Sequence, residues 1–488
     1  MKLNGSTLSS LPETVARPDY DRTKLKPGIV HVGCGNFHRA HQAVYLDDLF
    51  GIGEGLDYAL LGAGVREGDA KMRSLLEGQD WLSSVVELEP GARTARVIGA
   101  MVGFVPVEPG NGGLIAAMAA PETRIVSLTV TEGGYYIDPM TGTFSPAHPD
   151  IQRDAANPDK PGTVFGAIIA ALKARMAKGL KPFTVMCCDN VPHNGHVTRD
   201  AVVGLCRLSD PLLADWIAAN VAFPNSMVDR ITPATGDRER AMIRSFGLDD
   251  DAPVTCEPFR QWVMEDNFPA GRPPLERVGV TFTDRVDLFE TMKIRILNGG
   301  HAIIAYPGGL LGIELVHEAM ADSQIRAFLD KILTTEIIPI LPAVPGVKLE
   351  DYKSLIIRRF SNPEVADTVR RLCLDGSNRQ PKFIVTSVRD ALAAGRSIKG
   401  LALLSALWCR YCFGKDESGT TIAPNDPNWD HLTQQATTAK DDPAAWLQMK
   451  EVYGDLGSDP VFSDAFGVAL RSVWAKGTRA VLADYLAG

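Results

Sequence analysis

The chain has 488 residues, 45% hydrophobic and 22% charged, and its formal charge of -9 is spread without a long acidic or basic block. That length exceeds one ordinary core and the composition is globular, so two or three domains are expected and a fibrous or disordered chain is excluded. The charge offers no strong attraction to nucleic acid or to an anionic membrane, which leaves a small molecule as the expected partner.

In chain order, the first twenty residues lack the continuous apolar stretch of a secretory signal, and a cytoplasmic protein is expected. Short apolar runs follow: GIVHVG from Gly28, YALLGAGV from Tyr58, RIVSLTV from Arg124 and PFTVMCC from Pro182. These read as buried parallel strands. Helix-like stretches such as AHQAVYLDDLF and TVFGAIIAALKARMAKG lie between them, the alternation of a doubly wound sheet. Residues 95–107 predict a hairpin insertion, and the Pro-, Gly- and Asp-rich stretch 137–162 predicts a long surface loop. After about residue 285 periodic apolar helices dominate. The expected architecture is an α/β Rossmann-type domain over residues 1–285 and a mainly α-helical, substrate-binding domain over 286–488. The site should lie in a crevice outside the carboxyl ends of the strands. The longest apolar stretch, 299–316, carries His301, Pro307 and Glu314, so it reads as a core helix and no membrane span is expected. Eight scattered cysteines suggest reduced thiols. Cys409 and Cys412 have C-x-x-C spacing, but in a helix-like apolar context with no second ligand pair, so buried structural thiols are expected.

The segment GIVHVGCGNFHRAH places Gly33 and Gly35 between a strand and a helix. Gly33 suits the tight turn and Gly35 lets backbone approach a pyrophosphate, with Asn36, Phe37 and His38 opening the helix that meets its charge. His38 stands where G-x-G-x-x-G has its third glycine, so either the helix packs more loosely or a side chain lies near the phosphates. Beyond the second strand, in GAGVREGD, Glu67 and Asp69 are candidates to hold the adenosine ribose of NAD, whereas Arg66 can meet the extra phosphate of NADP. NAD is favoured and NADP stays open. In TVTEGGYY, Glu132 and Gly133 either line the nicotinamide side or form a tight turn with Glu132 in solvent.

ETMKIRILNGGHAIIAY reads as one continuous helix. At roughly 100° per residue, Lys293, His301 and Asn298 fall near 0°, 80° and 140° around its axis, on one broad face. Buried unpartnered polar groups are costly, so such a trio must find partners or line a cavity. Oxidising a secondary alcohol needs a base within hydrogen-bond reach of the hydroxyl while hydride leaves the same carbon. Lys293 is the candidate, its pKa depressed by partial burial beside an oxidised nicotinamide. Asn298 can donate to the developing alkoxide, and His301 can orient the substrate oxygen or Lys293. Glu290, one turn earlier, either relays the proton to water or makes an intrahelical pair. Apart from Cys409 and Cys412 no close Cys or His ligand spacing of a zinc dehydrogenase is present, and no metal is expected.

The K-x4-N-x2-H pattern at Lys293, Asn298 and His301 resembles that of the polyol-specific long-chain dehydrogenases, and VAFPNSMVDRITP matches their V-D-R segment at Val228, Asp229 and Arg230. GCGNFHRAH, CCDNVPHNG and EPFRQWVMEDNF are similar to the mannitol dehydrogenase branch, so the resemblance runs from about Gly28 to beyond residue 384. It implies metal-independent, NAD(P)-dependent oxidation of a sugar polyol, mannitol to fructose first, by a monomer whose second domain is like that of 6-phosphogluconate dehydrogenase. It also implies Lys293 as general base, Asn190, Asn298 and His301 around the reacting carbon, Asp229 on substrate hydroxyls, and Arg371, Arg379 or Lys382 as further polyol contacts. From the residues alone, Asn190 follows PFTVMCC at its carboxyl end, where ligand contacts fall. Asp229 and Arg230 read alternatively as an internal salt bridge holding a loop, and His193 as a helix-start residue. Arabinitol or sorbitol oxidation is a neighbouring alternative. So is reduction of a uronate, because Arg371, Arg379 and Lys382 can clamp a carboxylate. A nucleotide sensor without catalysis is the alternative from another class.

Overall fold

Successive side chains of a strand point to opposite faces, and in the strand after Lys26 this sends Val30 and Val32 into one core and Ile29 into another. The computed structural model describes residues 1–138 and 141–488. They divide into two compact units, Met1–Val286 and Asp287–Gly488.

In the first unit, β1 (Pro27–Val32), β2 (Ala59–Ala63), β3 (Met101–Phe104), β4 (Ile125–Leu128) and β5 (Thr184–Cys187) form an all-parallel sheet. Their spatial order is β3-β2-β1-β4-β5. This is the Rossmann order, which reverses between β1 and β4, and the ligand crevice of such sheets opens outside the carboxyl ends at that reversal. Helices α1 (Asn36–Ala40), α2 (Gln42–Gly51), α3 (Glu67–Glu77), α4 (Gly112–Ala119), α5 (Val164–Ala177) and α6 (Asn194–Ser209) accompany it. On one face Val30, Val32, Val126, Leu128 and Val185 pack with Leu114 and Met118 of α4 and Phe165, Ile168 and Leu172 of α5. On the other, Ile29, Leu60, Ile125 and Met186 pack with Val44, Leu46 and Phe50 of α2. Each such fully buried side chain contributes about 1.5–3 kcal/mol relative to exposure. Covering both faces requires continuous apolar runs, which is how these strands read in the sequence.

Two expectations are corrected here. Residues 95–107 are not a hairpin. Ser83–Glu89 pairs antiparallel with Ala92–Ile98, Val254–Cys256 and Val15–Ala16 extend that pair into a second sheet, and Met101–Phe104 is β3. The partner strand lies upstream of the window that showed the pattern. The loop read over 137–162 contains a helix, Pro149–Ala156, in which the His148 ring accepts the Asp150 N–H and Pro149 occupies the first turn. Proline reads as punctuation in a sequence, yet at a first turn its missing N–H costs nothing. Pro139 and Met140, also in that stretch, lie outside the described residues.

From α7 (Val286–Met292) on, every element among the described residues is helical. The segment read as one helix is continuous in right-handed helical backbone, as α7, a π-helical turn Lys293–Asn298 and α8 (Gly299–Leu310). The later helices used below are α9 (Leu349–Phe360), α10 (Val369–Leu372), α11 (Gly376–Gln380) and α12 (Lys399–Cys412). Cys409 and Cys412 are buried in α12 as free thiols, like the other six cysteines. Burial pushes both thiols well above their ordinary range. Among the described residues no helix is long and apolar enough to cross a membrane.

Candidate active site

The turn after β1 is shaped for close backbone approach. Gly33 sits at φ 101°, and a Cβ there would lie 2.1 Å from the Thr129 carbonyl oxygen. No L-residue side chain fits that position. A Cβ at Gly35 would meet nothing within 4 Å, so the turn presents open space where a pyrophosphate can approach. Beneath it, the buried Arg39 guanidinium donates to Cys34 O at 3.3 Å, to Asn36 Oδ1 at 2.8 Å and to Ala252 O. Asn36 in turn donates to Pro233 O and Thr235 Oγ1. Its side chain thus orders the turn. Phe37 stacks on His41, with ring centroids 4.8 Å apart. His38 is turned inward at 1% exposure and stacks on His31, with centroids 3.5 Å apart. Its ring therefore does not reach the phosphate side. His31 meets Ser127 Oγ at 2.8 Å and Thr129 Oγ1 at 2.9 Å.

At the end of β2, Asp69 Oδ2 accepts both Val65 N and Arg66 N at 3.0 Å. Gly64 permits this, since a Cβ there would overlap Asp69. The carboxylate is committed to the turn, whereas Arg66 and Glu67 are exposed. After β4 the backbone reaches φ 69°, ψ 161° at Thr131, a region essentially reserved for glycine that costs about 1–3 kcal/mol. Glu132 and Gly133 are exposed at the tip. Asn190, past the end of β5, is exposed as well.

Two of the sequence motifs interlock through their asparagines. Asn194 accepts Ser226 N at 2.8 Å and donates to Ser226 O at 2.8 Å. Asn225 Oδ1 accepts Gly195 N at 3.0 Å and His196 N at 3.3 Å. This clasp sets the segment of Asn190 against β6 (Ser226–Asp229), which ends in Asp229, buried at 5% exposure. Arg230 is an internal brace: its guanidinium pairs with Glu87 at 2.5 Å and donates to Glu257 O and Ala40 O. His193 stands just before α6 with φ 50°.

In the second unit Lys293 is 6% exposed at the start of the π-turn. A π-turn inserts a residue into the helical ladder and is frequent at functional sites. Asn298 Oδ1 and His301 Nε2 are sealed without a protein partner. His301 stacks on Phe360 at the end of α9, with centroids 4.3 Å apart. Gly300 allows that approach, because its Cβ would meet the Phe360 ring at 3.2 Å. Burial, reinforced by the charges of Arg371, Arg359, Arg379 and Lys293, holds the His301 imidazole well below its ordinary value. The unit therefore gathers Lys293, Arg371 and Arg379 around a neutral histidine. Arg371 is forked onto Asp367. Lys382 is exposed and is felt at Asp375. Glu290 is half-buried on α7. Sequence reasoning missed Arg359, at 7% exposure, Phe360, Asp189 and the Asn194–Asn225 clasp. Arg359 stands in LIIRRF, where nothing in the pattern separates a buried arginine from a solvated one. Among the described residues, no group of three or more His, Cys, Asp or Glu is placed to hold a metal ion.

A parallel sheet of this order with a glycine turn at its reversal belongs to the dinucleotide-dependent oxidoreductases. The mannitol dehydrogenase Rossmann domain matches residues 27–277 and the mannitol dehydrogenase C-terminal domain matches residues 285–474. The chain belongs to the mannitol dehydrogenase family. It is 63% identical over 477 residues to a mannitol 2-dehydrogenase of Cereibacter sphaeroides, covering 98% of this chain and 100% of that one. It is 41% identical over 490 residues to one of Phaeosphaeria nodorum, covering 99% and 86%. Among solved structures, the Pseudomonas fluorescens mannitol 2-dehydrogenase ternary complex with NAD and D-mannitol matches with a TM-score of 0.89 at 43% identity, covering both chains fully. A substrate-free D-sorbitol dehydrogenase matches with a TM-score of 0.90 at 37% identity, covering 99% of this chain and 100% of that one.

Proposed function

We propose that this chain catalyses the reversible NAD-dependent oxidation of D-mannitol to D-fructose, with Lys293 as general base. The observation that carries the mechanism is the trio on and just after the π-turn: a buried lysine, with Asn298 Oδ1 and His301 Nε2 sealed and unpartnered. Buried polar atoms left unpaired are expensive, and a polyol hydroxyl supplies the missing partner.

NAD, when bound, accepts the hydride. The open turn at Gly33 and Gly35 fits a pyrophosphate, with Arg66 and Glu67 towards the adenosine end and Glu132 and Gly133 towards the nicotinamide. Lys293 in its unprotonated form takes the hydroxyl proton as hydride leaves the carbon. The Asn298 amide donates to the oxygen as negative charge develops, and its Oδ1 accepts from a neighbouring hydroxyl. His301, held neutral, uses Nε2 to donate or accept according to its tautomer. Glu290 then passes the proton from Lys293 to water. Asn190 and Asp229 orient the substrate hydroxyls, and Arg371 and Arg379 contribute further donors, with Lys382 at the edge. We read the protein as a cytoplasmic monomer on its composition and family resemblance.

Initial rates with D-mannitol, D-arabinitol and D-sorbitol, and D-fructuronate in the reducing direction, with NAD(H) and NADP(H), test this reading. D-Mannitol with NAD should give the highest kcat/KM. Uronate reduction without polyol oxidation would overturn it.

A further inference from the structure

Asp189 lies directly before Asn190, past the end of β5, and its carboxylate reaches the loop after the adjacent strand β4. Its Oδ2 accepts Val130 N at 2.8 Å and the Tyr135 hydroxyl at 2.6 Å, and Oδ1 accepts Thr131 N at 3.1 Å. Three donors of one short loop therefore end on one acidic group. The loop needs such an anchor: Thr131 is β-branched and holds φ 69°, ψ 161°, and Tyr136 holds φ 53°. L-residues leave such conformations unless surrounding bonds over-determine them.

The other end of the anchor is equally fixed. Asp189 N donates to Cys187 Sγ at 3.4 Å, and Asp189 O accepts Asn194 Nδ2 at 3.2 Å, which ties it to the clasp that also holds β6. Tyr135 is fully buried, and its hydroxyl also meets Cys187 Sγ at 2.8 Å. The tip is open: Thr131, Glu132 and Gly133 are exposed, and a Cβ at Gly133 would meet nothing within 4 Å. The arrangement is a rigid base under a presented tip, the geometry of a ligand-facing loop.

We infer that Asp189 is a positioning residue that locks the Thr129–Tyr136 loop and thereby sets the grip on the nicotinamide half of the dinucleotide. The inference rests on the proposed NAD-dependent function. A carboxylate is required because all three partners are donors. An asparagine of the same shape would keep Val130 and Tyr135 on its oxygen but turn an NH2 group against the Thr131 N–H.

The test uses the full chain and reads NADH affinity by equilibrium fluorescence titration, which needs no turnover, together with kcat and KM for D-mannitol. Asp189→Asn should weaken NADH binding by about tenfold or more, the cost of a lost charge-assisted hydrogen bond, while KM for D-mannitol changes less than threefold. Adding Thr131→Gly should recover most of the loss, because glycine adopts the same backbone without steric strain. A merely structural role for Asp189 predicts no such recovery. A folded Asp189→Asn variant with wild-type NADH affinity, or a double variant as weak as the single, overturns the inference. If Asp189→Asn does not fold, amide exchange in the wild-type chain decides: slow exchange at Val130 and Thr131 is required, and exchange at the rate of an open loop overturns it. A wild-type chain that binds NADH but does not oxidise D-mannitol would remove the substrate assignment and leave this inference standing.

Discussion

Three histidines under the dinucleotide turn should make the first unit unusually sensitive to mild acid. Burial holds His31 and His41 down to about 3 and His38 well below its ordinary value. An imidazole in the unfolded chain titrates near 6.5, so as pH falls the unfolded chain takes up protons first. The stability these groups allow is complete above pH 7 and is lost as pH falls from about 6.5 towards about 3. Each contributes about 1.4 kcal/mol per pH unit in that window, so three cost about 4 kcal/mol at pH 5.5, a large share of an ordinary stability of 5–15 kcal/mol. Asp47 and Asp189, whose carboxyls burial pushes up, act in the opposite sense at lower pH. His38→Phe isolates the effect: it keeps a flat ring on His31 and removes the two ring nitrogens of a histidine at 1% exposure. Urea unfolding followed by circular dichroism at pH 7.5, 6.5 and 5.5 should show stability falling with pH in the wild type, and a slope about one-quarter smaller in the variant, because His301 in the second unit is held low as well. At pH 7.5 the variant should be at least as stable. Equal stability across that range, or an unchanged slope in His38→Phe, would refute the reasoning.

Lys293→Ala should lower kcat for D-mannitol by several orders of magnitude while NADH affinity stays within a few-fold, measured by steady-state rates and titration; loss of both together would assign Lys293 a structural role instead. Gly33→Ala forces a Cβ to 2.1 Å from the Thr129 carbonyl at a φ of 101°. It should destabilise the chain by about 1–3 kcal/mol and weaken NADH binding more than tenfold, and an unshifted melting temperature would contradict that geometry.

The first unit was legible because its signals are local. Strands covered on both faces must be continuous apolar runs, and the Gly33 turn needs a backbone that only glycine adopts, so both are written in adjacent residues. The helical character of the second unit followed from periodicity for the same reason. Lys293, Asn298 and His301 stood out as polar groups in an apolar run, but the π-turn that presents them was invisible. A turn with one extra residue is chosen by what packs around it, including Arg295 bonded to Ser387 and Asp390 more than ninety residues away.

The same division separates His38 and Asp189 from the motifs they sit in. Sequence alone determined that a histidine replaces a third glycine, that an acid follows the second strand and that another precedes Asn190. Only the tertiary structure decided that His38 stacks inward on His31 and that Asp189 anchors a loop nearly sixty residues earlier, whereas Asp69 caps its own turn through the neighbouring Val65 and Arg66 amides. A buried polar side chain takes its role from the partner that offsets its desolvation, and for His38 and Asp189 that partner is supplied by the fold rather than by the neighbouring residues.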